Sequence, residues 1–257
     1  MFYLKYMISP KSLIPTSLPS DVILTPRELF LLIRDLWYHD FGILGFPTPQ
    51  MPGFLQSNQK CKQGPIFRLI DRALSICRNE SASINGVEMF CADGFYSNYA
   101  VGKGATEMYG VDLDRNNLTK AGIITRVLSH KDKIRYEQCD VFKLSGEYDF
   151  GICAGGLYHI SNPQDLLKML TTKIRTALVI QTVYSLANTS EDYFETPAPG
   201  WTWGCRFSYN YLLQMVREAG WKIIDDSANE LLGNSRLEDR GSAYLLCIPQ
   251  ALYTPNI

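Results

Sequence analysis

Along most of the chain, stretches in which apolar residues recur every three or four positions alternate with short unbroken apolar runs. The first pattern predicts helices with one buried face, and the second predicts strands covered on both sides. Residues 1–24 follow neither rule, and Pro10, Pro15 and Pro19 predict an irregular arm there. A helix then opens at Thr25-Pro26-Arg27-Glu28, with a hydroxyl at the N-cap, proline at the first helical position and a carboxylate three residues after the cap. It continues through Leu29, Leu32, Ile33 and Leu36 to Trp37, after which Gly42, Gly45, Pro47, Pro49, Pro52 and Gly53 predict a long loop. From about residue 64 the pattern predicts helix Pro65–Arg78, strand Ile84–Cys91, a helix from Gly94, strand Glu107–Asp112 and helix Arg115–Leu128. Strands Ile134–Gln138 and Tyr148–Cys153, helix Pro163–Ile174 and strand Ala177–Tyr184 follow. The tail adds helix Tyr209–Ala219 and strands Trp221–Asp225 and Tyr244–Ile248, which fit an antiparallel hairpin at a sheet edge.

Strands separated by helices imply parallel pairing through right-handed crossovers, hence an α/β fold: a Rossmann-like, mostly parallel open sheet with helices on both faces. With 257 residues, 46% of them hydrophobic and 12% aromatic, the chain can bury one substantial core. The expected division is an N-terminal arm and lid helix over 1–60 and one ligand-binding domain over 61–257. Lys plus Arg number 25 against 26 Asp plus Glu, so no whole-molecule field draws in a polyanion. Seven cysteines without a C-x-x-C pair point to a reduced, cytoplasmic protein with no metal site. No apolar run approaches the roughly 18 residues that span a bilayer, and the amino terminus lacks the order of a signal peptide, so no membrane partner is expected.

Ligands of open α/β sheets bind outside the carboxyl ends of the strands, so those ends carry the candidate chemistry. The first strand delivers Glu88, then Phe90, Ala92, Gly94, Phe95 and Tyr96. An acidic strand end six residues before a helix-opening glycine lets backbone approach a ligand while the carboxylate accepts from an ammonium group. Phe90 and Ala92 stand where a dinucleotide fingerprint needs glycine, which counts against a pyrophosphate ligand. Asp112, followed by Leu113, can accept from both hydroxyls of a ribose, while Asp114 is the better helix cap. Asp140 beside Val141 can accept from an adenine amino group. At the fourth strand, Ala154 and Gly155 let the chain pass close to a ligand, and Tyr158 and His159 then project toward a second molecule. Glu88, Asp112 and Asp140 thus fall in the order that one adenosyl ligand lying across the strand ends requires.

The segments Cys91-Ala92-Asp93-Gly94-Phe95-Tyr96-Ser97, Gly110-Val111-Asp112 and Gly156-Leu157-Tyr158-His159, with Pro163 and Leu166-Leu167 downstream, resemble the class I S-adenosylmethionine (SAM)-dependent methyltransferases. More narrowly they resemble the group around the bacterial tRNA wobble-uridine carboxymethyltransferase. The likeness reaches back to Trp37-Tyr38-His39 with Thr48-Pro49, and forward to Pro199-Gly200-Trp201 and Phe207–Trp221. It implies a seven-stranded sheet with an N-terminal helical lid, and SAM as cofactor. In that group a tyrosine of the G-x-L-Y-H segment, here Tyr158, helps hold a carboxylated SAM together with a lysine and an arginine. Lys60 or Lys62 is a candidate for the lysine and Arg240 for the arginine; ordinary SAM is the expectation and carboxy-SAM the alternative.

Methyl transfer from a sulfonium is an in-line displacement, in which alignment alone can be worth roughly 7–11 kcal/mol. For a hydroxyl acceptor a base assists. His159 is the candidate base, Tyr158 the candidate orienting group, and Trp37, Tyr38, His39, Trp201, Trp203 and Arg206 the candidate acceptor-binding set. Arg206 has Asp192 or Glu195 as its alternative partners. The near-zero net charge favours a small-molecule acceptor. A patch of Lys60, Lys62, Arg68 and Arg72 keeps tRNA as the alternative partner, and the missing glycines at Phe90 and Ala92 keep a non-catalytic SAM-binding module as a third.

Overall fold

The structure is a computed structural model that describes residues 18–252, so the part of the expected arm in residues 1–17 lies outside the described residues. Helix α1, Pro26–Arg34, starts as its sequence dictates: the Thr25 hydroxyl accepts from the Glu28 N–H and the Glu28 carboxylate accepts from the Thr25 N–H at 2.8 Å. It ends three residues short of Trp37, because the Trp37 backbone instead bridges the loop, donating to the Pro49 carbonyl at 2.7 Å and accepting from the Met51 N–H at 2.9 Å.

Helix α2, Phe54–Glu80, begins eleven residues before the expected Pro65. A proline inside a helix normally costs about 3 kcal/mol, because it leaves a carbonyl one turn back without its donor. Here that carbonyl, on Cys61, accepts instead from Asn229 Nδ2 at 3.1 Å, and the Tyr244 hydroxyl fixes that amide by donating to Asn229 Oδ1 at 2.9 Å. The helix therefore runs through Gly64-Pro65, and the expected 60/61 division falls inside it.

Strands β1 (Asn85–Met89), β2 (Glu107–Asp112), β3 (Ile134–Gln138), β4 (Tyr148–Ala154) and β5 (Ile174–Tyr184) alternate with α3 (Phe95–Gly102), α4 (Arg115–Val127) and α5 (Pro163–Leu170). The helix α5 stops earlier and β5 starts earlier than the sequence pattern suggests, since Ile174 already pairs with Tyr148. A two-residue ribbon, β6 (Phe194–Glu195) with β7 (Arg206–Phe207), precedes α6 (Tyr209–Glu218) and the hairpin β8 (Trp221–Glu230) and β9 (Gly241–Pro249).

The seven-stranded sheet has the order β3-β2-β1-β4-β5-β9-β8; β1 to β5 are parallel, and β9 runs antiparallel to both of its neighbours, β5 and β8. Helices cover both faces. One core holds α2, α3 and α4 with Leu32, Trp37 and Phe41 from the amino-terminal segment, and the other holds α5 and α6 with Trp221. Helix α1 lies against α4, tied by Arg126 to Glu28 and Lys120 to Asp35. The extension reaches the strand ends through the segment after α1 rather than through α1 itself. Among the described residues no helix is long and apolar enough to cross a membrane.

Candidate active site

The chain leaves β1 outward to β2 and β3, then returns to β4 on the other side of β1. Where strand order reverses, successive crossovers diverge and leave a crevice beyond the carboxyl ends. A cavity of about 360 Å³ lies there, lined by the ends of β1, β2 and β4 and closed by Tyr38 and His39 from the amino-terminal segment and Gln59 and Lys62 from α2.

One end of the cavity is acidic. Glu88, buried at the end of β1, accepts from the Ser97 N–H at 2.7 Å and the Ser97 hydroxyl at 2.5 Å. Burial pushes its carboxyl up to about 8 despite those donors, with Asp93 and Asp112 adding to the rise. Asp112 accepts from the Ala92 N–H at 2.8 Å through Oδ2 and from the Asp114 N–H at 2.8 Å through Oδ1. Each Asp112 oxygen keeps a second lone pair for an incoming hydroxyl. Asp114 caps α4, as its position suggests.

The loop between Glu88 and α3 is held left-handed: Phe90 has φ 56° and Ala92 φ 46°. For residues with a Cβ that conformation costs roughly 1–2 kcal/mol each, and such strain persists only where the surroundings impose it. The Asp112 carboxylate on the Ala92 N–H is one such restraint. Gly94, φ 76°, has no alternative, because a Cβ there would lie 2.3 Å from the Tyr136 hydroxyl. The Phe90 ring packs so closely on Gly156 that a Cβ on the glycine would come within 1.9 Å of it. Phe90 and Ala92 therefore adopt the backbone conformation that glycines would supply, and Phe90 adds a ring to the cavity wall.

The other end is polar and basic. Lys62 is 5% exposed and has no acidic partner among the described residues; burial pushes its ammonium down to about 8. Gln59 Oε1 is buried without a hydrogen bond, while Gln181 Nε2 is anchored on the Ser242 hydroxyl at 2.9 Å. His159 lies exposed at the mouth with its ring stacked 5.2 Å from Trp203. Desolvation, then the Arg206 and Lys62 charges, hold it below its ordinary value. His39, by contrast, is clamped: Asp93 accepts from its N–H at 2.8 Å and lies 2.6 Å from its Nδ1, and Phe95 stacks on its ring at 4.5 Å.

Of the residues singled out from sequence, Tyr38, His39, Glu88, Phe90, Ala92, Tyr96, Asp112, Leu113, Ala154, Gly155 and His159 line this cavity. Others do not. Asp140 turns back to cap a 3₁₀ turn, accepting from the Phe142 N–H at 3.1 Å, and Val141 is buried beneath that turn. Gly94 and Phe95 support the loop from behind, and Trp37 is wholly buried with its indole N–H on the Leu31 carbonyl at 3.0 Å. Arg206 is held by Asp239, not by Asp192 or Glu195, with its Nε 2.6 Å from Oδ1; it also lies 5.2 Å over the Tyr158 ring. Trp201 and Trp203 pack on each other at 5.0 Å and stay more than 40% exposed. Of the expected basic patch, Lys62 lines the cavity, Arg68 and Arg72 both bond Asp225, and Lys60 is exposed. Gln59 and Gln181 were not singled out from sequence; Gln59, Lys62, Ile66 and Leu69 share one helical stripe, the signal that exposes the first.

A doubly wound sheet of this strand order, with acidic ends of β1 and β2 around one crevice, is the architecture of the class I methyltransferases. A model of the methyltransferase domain matches residues 59–226, and the chain belongs to that family. Comparison with curated proteins finds no match. Among solved structures, magnesium protoporphyrin IX methyltransferase from Synechocystis with bound S-adenosylhomocysteine (SAH) is 15% identical and superposes with a TM-score of 0.59, over 78% of this chain and 89% of that one. The N-terminal domain of EvdMO1 with SAH bound is 17% identical, with a TM-score of 0.53 over 70% and 81% of the two chains. A SAM-dependent methyltransferase from Mesorhizobium loti is 15% identical, with a TM-score of 0.50 over 67% and 95%. As a member of the methyltransferase family, the chain takes SAM as its cofactor. The cavity suits it: Glu88 and Asp112 offer acceptors for its ammonium and ribose groups, and Gly155 leaves the β4 end open.

Proposed function

We propose that the chain transfers the SAM methyl group to a hydroxyl of a small molecule. The observation that carries this reading is that one cavity is lined both by the acidic Glu88 and Asp112 and by Tyr38, Gln59, Lys62 and His159. The balanced net charge and the absence of a free cluster at Arg68 and Arg72 favour a small acceptor over a polyanion. In this reading Glu88 accepts from the SAM ammonium, Asp112 accepts from the ribose, and Tyr158 and Arg206 support the β4 loop. Incubating the protein with SAM and a panel of phenols and hydroxy acids, with SAH release as the readout, tests it. Release driven by tRNA instead, and suppressed steeply by salt, would overturn it.

One observation favours a second reading. Lys62, buried and without an acidic partner among the described residues, lines the cavity, where the carboxylate of carboxy-SAM would neutralise it, as the resemblance to the wobble-uridine group implies. Against it, Arg240 pairs with Glu230 at 3.0 Å and does not line the cavity. Calorimetry separates the two: carboxy-SAM binding at least tenfold tighter than SAM, with the difference lost in Lys62→Met, supports the second reading.

A further inference from the structure

Two of the three histidines line the cavity, but only one is held by a carboxylate. Asp93, fully buried, places Oδ2 on the His39 N–H at 2.8 Å and Oδ1 on Nδ1 at 2.6 Å. The ring stacks on Phe95 with planes 8° apart and meets the edges of Tyr38 at 4.9 Å and Tyr96 at 5.4 Å. The His39 carbonyl accepts from the Thr48 hydroxyl at 2.8 Å, so the backbone is fixed as well as the ring. A carboxylate on Nδ1 selects the tautomer with its proton there and leaves the Nε2 lone pair free. No described residue bonds Nε2. A backbone clip alone would need only the N–H contact; the second carboxylate oxygen acts on the imidazole itself.

We propose that His39, oriented by Asp93, is the general base of methyl transfer, taking the acceptor proton on Nε2. The inference rests on the hydroxyl-acceptor reading above. The O–H proton passes to Nε2, the freed oxygen pair forms the new bond to the methyl carbon, and the C–S bonding pair stays on sulfur, leaving SAH. One positive charge leaves the sulfonium and one appears on the imidazole. A buried imidazolium needs an adjacent anion, and Asp93 already occupies that place. His159 offers no such partner; the charges near it belong to Lys62 and Arg206 and oppose its protonation. The titratable groups around His39 are Asp93 before α3, Tyr38 on its own segment and Tyr96 on α3, with Glu88, Lys62 and His159 elsewhere in the cavity lining.

Two measurements on the full chain saturated with SAH or SAM decide the matter. Two-bond proton–nitrogen spectra of the ¹⁵N-labelled protein with SAH should show His39 protonated at Nδ1 and bare at Nε2 at neutral pH, with Asp93→Asn mixing the tautomers. A ring protonated at Nε2 and bare at Nδ1 overturns the proposal. In turnover, phenol and its nitro analogue, which is already ionised near neutrality, serve as paired probes. His39→Gln should slow phenol methylation by roughly 100-fold or more while slowing the nitrophenol only a few-fold, since an ionised acceptor needs no base. Asp93→Asn should repeat the pattern more weakly, and both variants must still bind SAH. Equal losses on both phenols, or no loss on either, reduce His39 to a structural contact. If the unmodified protein methylates neither phenol, the hydroxyl-acceptor reading is the one in trouble, and the tautomer still decides whether the dyad is built as a base.

Discussion

The acidic and basic ends of the cavity are built on opposite rules. At the acidic end each carboxylate is held by donors from its own chain, Glu88 by Ser97 and Asp112 by the N–H groups of Ala92 and Asp114. At the basic end, among the described residues, the buried Lys62 has no acidic partner and Gln59 Oε1 has no hydrogen bond. The first end is therefore preorganised before any ligand arrives, whereas the second is completed by what binds. This is the division expected where the SAM end is formed in advance and the acceptor end takes shape around what binds it.

The most damaging way to break this contrast is at Asp112. Asp112→Ala removes the acceptors for the ribose and releases the Ala92 N–H that shapes the loop. Two charge-assisted hydrogen bonds are worth roughly 3 kcal/mol together, so calorimetry should show SAH binding weakened about 100-fold. A loss under threefold would remove the acidic end from the cofactor site.

Glu88→Gln and Lys62→Met are smaller perturbations that separate the two ends. Burial raises the Glu88 carboxyl to about 8, so folding resists its ionisation. Stability is then full below the ordinary carboxylate range and falls as pH climbs from about 4.5 toward 8. The Gln variant should lose that slope and melt a few degrees higher at neutral pH, at roughly 2–4 °C per kcal/mol, yet bind SAM more weakly. Lys62, lowered to about 8, destabilises the fold progressively as pH drops from its ordinary 10.5 to 8, and by a constant amount below that. Lys62→Met should also raise the melting temperature of the unliganded protein, while SAH affinity stays within about threefold. Equal effects of both substitutions on SAH binding would erase the distinction between the ends.

The acidic end was legible in the sequence because its logic is local. An acidic residue at the end of a periodic strand reaches the crevice by the topology of the fold alone, which is how Glu88 and Asp112 came to light. Asp140 obeyed the same positional rule but turned to cap its own 3₁₀ turn, a competition between neighbours two residues apart that pattern does not resolve. The basic end was hidden by long-range chemistry. Gly64-Pro65 reads as a helix start, and it is the bond from Asn229, itself held by Tyr244, to the Cys61 carbonyl that lets α2 extend back to bring Gln59 and Lys62 into the cavity. His39 and Asp93 were both noticed, yet as members of separate motifs; their contact spans 54 positions and exists only once the segment after α1 folds over α3.

The smallest effect sharpens what preorganisation at the acidic end consists of. Ala92 holds φ 46° with its N–H on Asp112, and Phe90 holds φ 56° with its ring against Gly156. If hydrogen bonding holds the loop at Ala92, then Ala92→Gly removes about 1 kcal/mol of left-handed strain, partly offset by the greater freedom of glycine in the unfolded chain. The net gain is about 0.5 kcal/mol, a rise of 1–2 °C in melting temperature with SAH affinity unchanged. Phe90→Gly relieves similar strain but forfeits the packing on Gly156, so it should melt lower. Should Ala92→Gly also melt lower, side-chain packing rather than the Asp112 carboxylate shapes the whole loop, and the acidic end would owe its order to the same contacts as the core beneath it.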